Sequence, residues 1–252
     1  MTFVVRADAY DRFMGRYSAQ LAPQLADLAG VQAGQRVVDV GCGPGALSTE
    51  LVARVGAAHV AAADPSEPFV DAARERHPGV DVVLAPAEEL PFGDDAFDAA
   101  LAQLVVPFMK DALAGLTEMR RVTRPRGVVA ACAWDHGAGQ SPLAPLWRAV
   151  RDLHPAEANE SVQAGTREGH LAQLLGEAGC SDVEDTALDV RVEHATFDEW
   201  WEPFTLGVGP AGAFVAKLDA DGVQAVRRRC RELLGDGPVV IPARAWAARG
   251  RA

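Results

Sequence analysis

The first half of the chain alternates between short apolar runs and segments in which apolar residues recur every three or four positions. The apolar runs predict strands, and the recurring spacing predicts amphipathic helices. Strands are predicted at residues 36–41, 59–63, 80–84, 97–101 and 128–134, and helices at residues 18–29, 46–54, 67–76 and 111–123. Helices between strands indicate right-handed crossovers and a parallel sheet, and strands that are nearly all apolar indicate a sheet covered on both faces.

The pattern is looser after residue 134. Helices are predicted at residues 146–154, 167–178, 196–205 and 219–234, and two further strands at residues 182–194 and 239–248. We therefore expect an α/β fold: a Rossmann-like, doubly wound, mostly parallel seven-stranded sheet with a helical cap. No repeat or linker divides the sequence, which favours a single domain over residues 1–252.

Composition narrows the class of partner. The 252 residues include 24 Lys and Arg against 35 Asp and Glu, a formal net charge of −11. This acidity disfavours nucleic acid and anionic membranes as partners. No apolar run approaches the ~20 residues that cross a bilayer, and the first residues do not resemble a signal peptide. The four cysteines lack a metal-binding spacing, so we expect a cytoplasmic protein with reduced thiols and no metal site, either a monomer or a homodimer.

The strongest motif follows the first predicted strand, where three glycines occur in residues 41–45 (GCGPG). Glycines permit a sharp turn and let a ligand lie against bare backbone, and the next helix presents unpaired N–H groups. The loop satisfies the dinucleotide fingerprint, and Asp64, which ends the second strand, is placed to bind ribose hydroxyls. These features leave NAD and another adenosine-containing cofactor open. The chain has no phosphate-binding GxxxxGK[ST] motif, which argues against ATP.

Four segments, taken in order, resemble the motifs of class I S-adenosylmethionine-dependent methyltransferases, in the ubiquinone/menaquinone-biosynthesis-like branch that includes many small-molecule enzymes. They are residues 39–45 (DVGCGPG), 64–66 (DPS), 87–92 (AEELPF) and 121–127 (RVTRPRG). The resemblance covers about residues 35–134. The chain departs from the family pattern at Pro86, where many relatives have an acidic residue, and at Arg126, where glycine is usual.

The resemblance implies S-adenosylmethionine as the cofactor. Asp39 and the glycines would border its methionine part, Asp64 would bind its ribose hydroxyls, and Ala87 would contact its adenine. The residues that it assigns to the cofactor are Asp39, Gly41, Cys42, Gly43, Gly45, Asp64, Pro65, Ser66, Ala87, Glu88 and Gln103. It also divides the chain into a helical lid (1–33), a cofactor-binding core (34–134), and cap insertions with the final strands (135–252).

Aromatic residues outside that core are candidates for an acceptor site. The segment before the first strand predicts a lid, in which Arg16 or Tyr17 contacts the cofactor carboxylate or the substrate. The residues predicted to line an apolar substrate cavity are Tyr10, Trp134, Trp147, Trp200 and Trp201. The alternative is that these aromatic side chains only pack the cap and the amino-terminal helix.

His136 is the candidate general base. It closely follows the fifth strand, and the crevice of an open α/β sheet lies beyond the carboxyl ends of its strands. An ordinary histidine pKa of ~6.5 suits proton transfer at neutral pH. We expect His59 and His77 to be exposed, and His170 and His194 to be structural.

Together these observations predict methyl transfer from S-adenosylmethionine to a small, hydrophobic or aromatic metabolite, with oxygen favoured as the accepting atom before nitrogen or carbon. One alternative is a methyltransferase-like protein that uses the bound cofactor for non-methylating chemistry such as cyclisation. The other is an NAD(P)-dependent oxidoreductase. That alternative calls for a second βαβαβ half and a Tyr/Lys or His catalytic set, neither of which the sequence contains in recognisable form.

Overall fold

A seven-stranded sheet forms the centre of the protein. The computed structural model describes residues 7–155 and 160–252. The strands are β1 (Val37–Val40), β2 (Val60–Asp64), β3 (Asp81–Leu84), β4 (Phe97–Gln103), β5 (Thr123–Trp134), β6 (Ser181–His194) and β7 (Val239–Arg251). Their order is β3-β2-β1-β4-β5-β7-β6, and β7 runs antiparallel to both of its neighbours. The prediction of a Rossmann-like, mostly parallel seven-stranded sheet is confirmed.

Helices cover both faces of this sheet. They are α1 (Ala7–Tyr10), α2 (Arg16–Leu28), α3 (Ala46–Val55), α4 (Glu67–Arg76), α5 (Ala112–Val122), α6 (Ala144–Leu153), α7 (His170–Glu177), α8 (Phe197–Trp201), α9 (Gly209–Lys217) and α10 (Ala220–Leu234). Along β1, Val37 joins the core beneath α2 and α3, whereas Val38 and Val40 join the core beneath α5 and α7. Alternation along the strand thus fills two apolar layers.

The amino-terminal segment is helical and lies along β6. A π-helical turn at residues 11–15 joins α1 to α2. The side chain of Gln20 donates to the backbone carbonyl of Arg191 at 3.0 Å, and that of Gln24 donates to the carbonyl of Asp189 at 3.1 Å. These bonds connect α2 to a strand about 170 residues away, so the segment is anchored at its carboxyl end.

Three details differ from the sequence prediction. Helix α9 was not predicted, because its glycines and Pro210 are typical of a loop; the proline lies in the first turn, where it is tolerated. Strand β5 begins at Thr123 rather than at 128, since Arg126 N–H donates to the carbonyl of Ala252 at 3.0 Å and extends the pairing. The helix predicted at residues 196–205 is α8 followed by a 3₁₀ turn.

Among residues 7–155 and 160–252, none of the helices combines the length and the apolar content that crossing a membrane requires.

Candidate active site

The loop after β1 owes its shape to three glycines in the left-handed region. Gly41, Gly43 and Gly45 have φ angles of +71°, +53° and +96°. A Cβ atom on Gly41 would lie 2.4 Å from both Cγ atoms of Val105, which follows β4. A Cβ atom on Gly43 would meet no atom within 4 Å. The loop is therefore packed tightly at Gly41 and borders open space at Gly43.

Asp64 fastens this loop to the end of β2. Its Oδ2 accepts the Gly43 N–H at 2.9 Å, and its Oδ1 accepts the Ser66 N–H at 2.8 Å. The carboxyl is 6% exposed, and burial raises its pKa from the usual range while the two N–H donors oppose that rise. Asp64 thus connects the glycine loop to the start of α4.

Asp39 lies beneath the same loop and is 1% exposed. Ser48 Oγ donates to its Oδ2 at 2.7 Å, and its Oδ1 has no hydrogen-bond partner in the part of the chain that the structure describes. Burial raises the pKa of this carboxyl to about 7. An unpaired buried oxygen is costly, so it is a position where a bound donor would be stabilising.

A cavity of about 320 Å³ opens at the carboxyl ends of β1, β2 and β4. This size falls within the roughly 300–1,000 Å³ that small-molecule sites occupy. The sequence-predicted residues that line it are Tyr10, Gly41, Gly43, Asp64, Pro65, Ala87, Glu88 and Gln103. Cys42, Gly45 and Ser66 lie in the loops behind that lining, and Asp39 lies on β1 beneath the glycine loop. The cavity therefore gathers residues from three separate motifs.

The cavity wall changes in character from one end to the other. Leu84, Ala85 and Pro86 form an apolar end beside Glu88, whose Oε1 accepts the N–H groups of Lys110 and Asp111 at 2.6 and 3.2 Å. The other end is bounded by the glycine loop and by Gln103.

A second, smaller chamber of about 40 Å³ adjoins this cavity. Both are lined by Tyr10, Leu104 and Phe108, which form the partition between them. The remaining walls of the chamber are Phe13, Met14, Pro107, Trp134, His136, Leu143, Glu160, Val208, Gly209 and Pro210. Leu104 has φ +64°, a conformation that is rare outside glycine and that occurs preferentially at functional sites.

Besides Tyr10, the titratable groups that line the second chamber within the described residues are His136 and Glu160. The exposed fractions of their side chains are 8% and 4%, and His136 Nε2 lies 4.0 Å from Glu160 Oε1. Trp147 Nε1 donates to Glu160 Oε2 at 2.8 Å. Burial lowers the pKa of His136 to about 4 and raises that of Glu160 to about 7.

The structure does not bring Arg16 and Tyr17 to the large cavity. Arg16 forms a salt bridge with Glu199 on α8, at the protein surface. The Tyr17 hydroxyl is hydrogen-bonded to His194 Nε2 at 3.1 Å, and its ring packs edge-on against Trp134. Of the amino-terminal residues predicted to contact ligands, Tyr10 alone lines the cavity. Its ring packs on that of Phe69, with ring centroids 5.4 Å apart.

The predicted substrate tryptophans separate into two groups. Trp134 lines the second chamber, and Trp147 reaches it indirectly through its bond to Glu160. Trp200 and Trp201 line neither space; they belong to α8 and pack in an aromatic cluster with Phe204 of the turn that follows it. The geometry of these two residues therefore matches the alternative that the aromatic side chains only pack the cap.

His77 is 9% exposed, so the expectation that it would be solvated is wrong. Its Nε2 lies 3.0 Å from the carbonyl oxygen of Gly45 and 3.2 Å from Thr49 Oγ1. The ring fills the space beside Gly45, where an added Cβ would approach it to 2.8 Å. His77 thus supports the loop from behind. His170 and His194 each make a hydrogen bond to a neighbouring element, consistent with structural roles.

Comparisons with known proteins agree with this geometry. Residues 38–131 match the model of a methyltransferase domain family. The chain is 33% identical to a demethylmenaquinone methyltransferase of Clavibacter sepedonicus over 209 residues, which are 75% of this chain and 79% of that protein. It is 36% identical over 150 residues to a malonyl-[acyl-carrier protein] O-methyltransferase of Pseudescherichia vulneris, covering 57% of this chain and 59% of that one. This chain belongs to the class I S-adenosylmethionine-dependent methyltransferases.

The fold comparison gives the same result for the architecture. An N-methyltransferase of Haemonchus contortus, whose structure contains S-adenosylhomocysteine, superposes with a TM-score of 0.59 at 16% identity, covering 97% of this chain and 56% of that one. The enzyme is therefore a methyltransferase with S-adenosylmethionine as its cofactor, and the comparisons do not favour the oxidoreductase or the non-methylating alternative.

The methyltransferase cavity has the polarity that this cofactor requires. S-adenosylmethionine is cationic at its sulfur and its amino group. Burial is the largest cause that raises the pKa of Tyr10 to about 12, and the nearby carboxyl groups of Asp64, Asp11 and Asp39 add to it. Gln103 Oε1 is buried without a hydrogen-bond partner among the described residues. Carboxyl groups and unpaired acceptor oxygens lie at one end of the cavity, and apolar side chains lie at the other. This arrangement fits S-adenosylmethionine.

Some lining residues of the methyltransferase were not predicted. Residues 104–110 follow β4 and line both spaces, and their position beyond the carboxyl end of a strand was the available signal. Glu160 begins a short 3₁₀ turn (Glu160–Val162) that carries no motif, so no pattern indicated it. No cluster of three or more potential metal ligands occurs among the residues that the structure describes.

Proposed function

We propose that this methyltransferase transfers the methyl group of S-adenosylmethionine to a hydroxyl oxygen of a small, apolar or aromatic metabolite. The observation that carries the proposal is the pair of adjoining cavities that share Tyr10, Leu104 and Phe108. One is framed by the family motifs and suits the cofactor. The other is mostly apolar and contains a histidine, which suits an acceptor.

In this proposal the 320 Å³ cavity holds the cofactor. Asp64 binds the ribose hydroxyls, and Ala87 and Glu88 border the adenine. Asp39 and Gln103 lie at the methionine end with the glycine loop. When bound there, the cofactor supplies an electrophilic methyl group on a positively charged sulfur.

The second chamber orients the acceptor and excludes water. Its aliphatic and aromatic walls favour an apolar acceptor and limit competing reaction with solvent. His136 accepts the hydroxyl proton, because its lowered pKa keeps the imidazole unprotonated at neutral pH. Positioning of the oxygen close to the methyl group supplies most of the remaining acceleration.

The names of the relatives support both parts of the acceptor proposal. An O-methyltransferase among them supports oxygen as the accepting atom. A relative named for demethylmenaquinone supports an apolar acceptor that bears a ring. We further propose that residues 1–33 cover the cofactor, that residues 34–134 bind it, and that residues 135–252 provide the acceptor wall, in a cytoplasmic monomer or homodimer.

Calorimetric titration with S-adenosylhomocysteine, with NADH and NADPH in parallel, tests the cofactor half of the proposal. We expect binding of the first at about micromolar Kd, roughly −8 kcal/mol, and no binding of the nicotinamide nucleotides. Methyl transfer to a panel of phenols, amines and carboxylic acids then tests the acceptor half. Exclusive methylation of amines would contradict the assignment of oxygen.

A further inference from the structure

We propose that Glu160 completes, with His136, a buried proton-accepting pair at the wall of the second chamber, and that this pair takes the proton of the acceptor hydroxyl. The inference rests on the proposed function, which assigns the chamber to the acceptor. It adds a positioning residue that no motif indicates.

The geometry connects three side chains from separate segments. Trp147 on α6 fixes Oε2 of Glu160 through a 2.8 Å hydrogen bond, which leaves Oε1 directed towards Nε2 of His136. The separation of 4.0 Å between those atoms is longer than a hydrogen bond. Catalytic hydrogen bonds are often long before substrate binds and tighten in the complex. In other enzymes, a nucleophile is activated by a base that a neighbouring carboxylate orients, and His136 and Glu160 have the same relation here.

Burial makes the ionised form of Glu160 expensive without a partner. A carboxylate that is 4% exposed costs several kcal/mol to desolvate unless a partner compensates it, and this cost raises the pKa of Glu160 to about 7. No lysine or arginine within residues 7–155 and 160–252 forms a salt bridge with Glu160, and its partners there are Trp147 and His136. An uncompensated acid beside a neutral imidazole is stabilised once that imidazole gains a proton.

The proton and the electrons balance as follows. A bond forms between the acceptor oxygen and the methyl carbon while the carbon–sulfur bond breaks, and its electron pair stays on sulfur. The hydroxyl proton moves to Nδ1 of His136, since Nε2 faces Glu160. The resulting imidazolium donates its Nε2–H to ionised Glu160. The positive charge lost from sulfur thereby appears beside a negative group within the same buried site.

Binding of 4-nitrophenol to the protein saturated with S-adenosylhomocysteine tests this inference without turnover. The ionised form of this phenol absorbs visible light, so its spectrum reports whether the bound hydroxyl has lost its proton. We compare the wild-type protein with Glu160→Gln, which keeps an acceptor for Trp147 and removes the charge. At pH 8, where Glu160 with its pKa of about 7 is mostly ionised, the ratio of ionised to neutral bound ligand is expected to fall about tenfold or more in the variant. The reason is that the carboxylate stabilises the imidazolium, and an opposite charge within 4–6 Å shifts ionisation by roughly 1–3 pH units.

Two further variants serve as controls. Glu177→Gln makes the same chemical change at an exposed position on α7, where Glu177 accepts from Gln173, and should leave the spectrum as in the wild type. Trp147→Phe removes the donor that fixes Glu160 and should reduce the ionised fraction less than Glu160→Gln does. S-adenosylhomocysteine should bind all variants equally.

The outcomes separate the two proposals. If S-adenosylhomocysteine binds and 4-nitrophenol does not, the chamber is not a phenol site and the present inference fails while the cofactor assignment stands. If the phenol binds with the same spectrum in the wild type and in Glu160→Gln, Glu160 has no part in accepting the proton. If S-adenosylhomocysteine itself does not bind, both proposals fail.

Discussion

Gly43 provides a direct test of where the cofactor lies. Its φ of +53° is left-handed, and an added Cβ would have no protein atom within 4 Å, because Gly43 borders the large cavity. Gly43→Ala therefore adds a methyl group to space that we assign to the cofactor. Gly30→Ala is the matched control, since Gly30 has φ +67°, also meets nothing within 4 Å, and lies at the end of α2 away from the cavity lining.

The expected magnitudes follow from backbone strain and from lost contact. An L-residue in the left-handed region costs about 1–2 kcal/mol, and the smaller entropy of the unfolded alanine variant returns about 0.4–1 kcal/mol. Both variants should thus lose about 1 kcal/mol of unfolding free energy, equivalent to a fall of about 2–4 °C in Tm. Gly43→Ala should in addition weaken S-adenosylhomocysteine at least tenfold, or about 1.4 kcal/mol, because the ligand can no longer approach the backbone.

Thermal unfolding and calorimetric titration measure these two quantities on the same samples. The informative result is the difference between the variants: equal losses of stability with a loss of affinity in Gly43→Ala only. Wild-type affinity in Gly43→Ala would refute the placement of the cofactor against this loop. An equal loss of affinity in Gly30→Ala would show that the effect comes from general destabilisation.

Three further predictions follow from individual contacts. Asp64→Ala removes two charge-assisted hydrogen bonds from backbone N–H groups, each worth about 1.5–3 kcal/mol. Calorimetry should show that this variant binds S-adenosylhomocysteine at least tenfold more weakly than the wild type. Asp71→Ala, at an exposed position on α4, should bind it as the wild type does. Arg126→Gly relieves a left-handed residue of φ +68° and should raise the unfolding free energy in urea by up to about 1 kcal/mol; a decrease would contradict the strain argument. Asp39→Asn tests the raised pKa of about 7: protonation of Asp39 stabilises the fold at pH below about 4, and this contribution is lost as pH rises to 7. The variant should therefore gain stability relative to the wild type between pH 4 and pH 8, and a constant difference in urea unfolding across that range would count against the shift.

Prediction from the sequence succeeded where a signal is local and repeated. Strands that are nearly all apolar, such as residues 97–101, allow few interpretations besides a covered parallel sheet, and the helices between them set the crossovers. The order of the last two strands is a different matter. That β7 inserts antiparallel between β5 and β6 depends on pairing between residues at least 45 positions apart, which a single sequence does not display.

Prediction of side-chain direction was weaker for the same reason. Arg16 and Tyr17 precede the first strand and were expected to face a ligand. Their partners, Glu199 and His194, are more than 170 residues away and pull both side chains towards β6 and α8. His77 was expected to be exposed because it ends a helix, whereas the glycine loop uses its ring as a support. In each case a contact distant in sequence decided the outcome.

The topology explains why the sequence predicted the large cavity better than the second chamber. The strand order reverses between β1 and β4, so the loops that follow these strands separate and leave the crevice in which the cofactor is proposed to lie. Those loops belong to the fold itself and carry its motifs. The second chamber is formed largely by residues outside those motifs, among them Phe13, Leu143 and Val208. His136 and Glu160 meet only because β5 and the segment after α6 converge on that chamber. Substitutions there should therefore alter the choice of acceptor while leaving the affinity for S-adenosylhomocysteine unchanged.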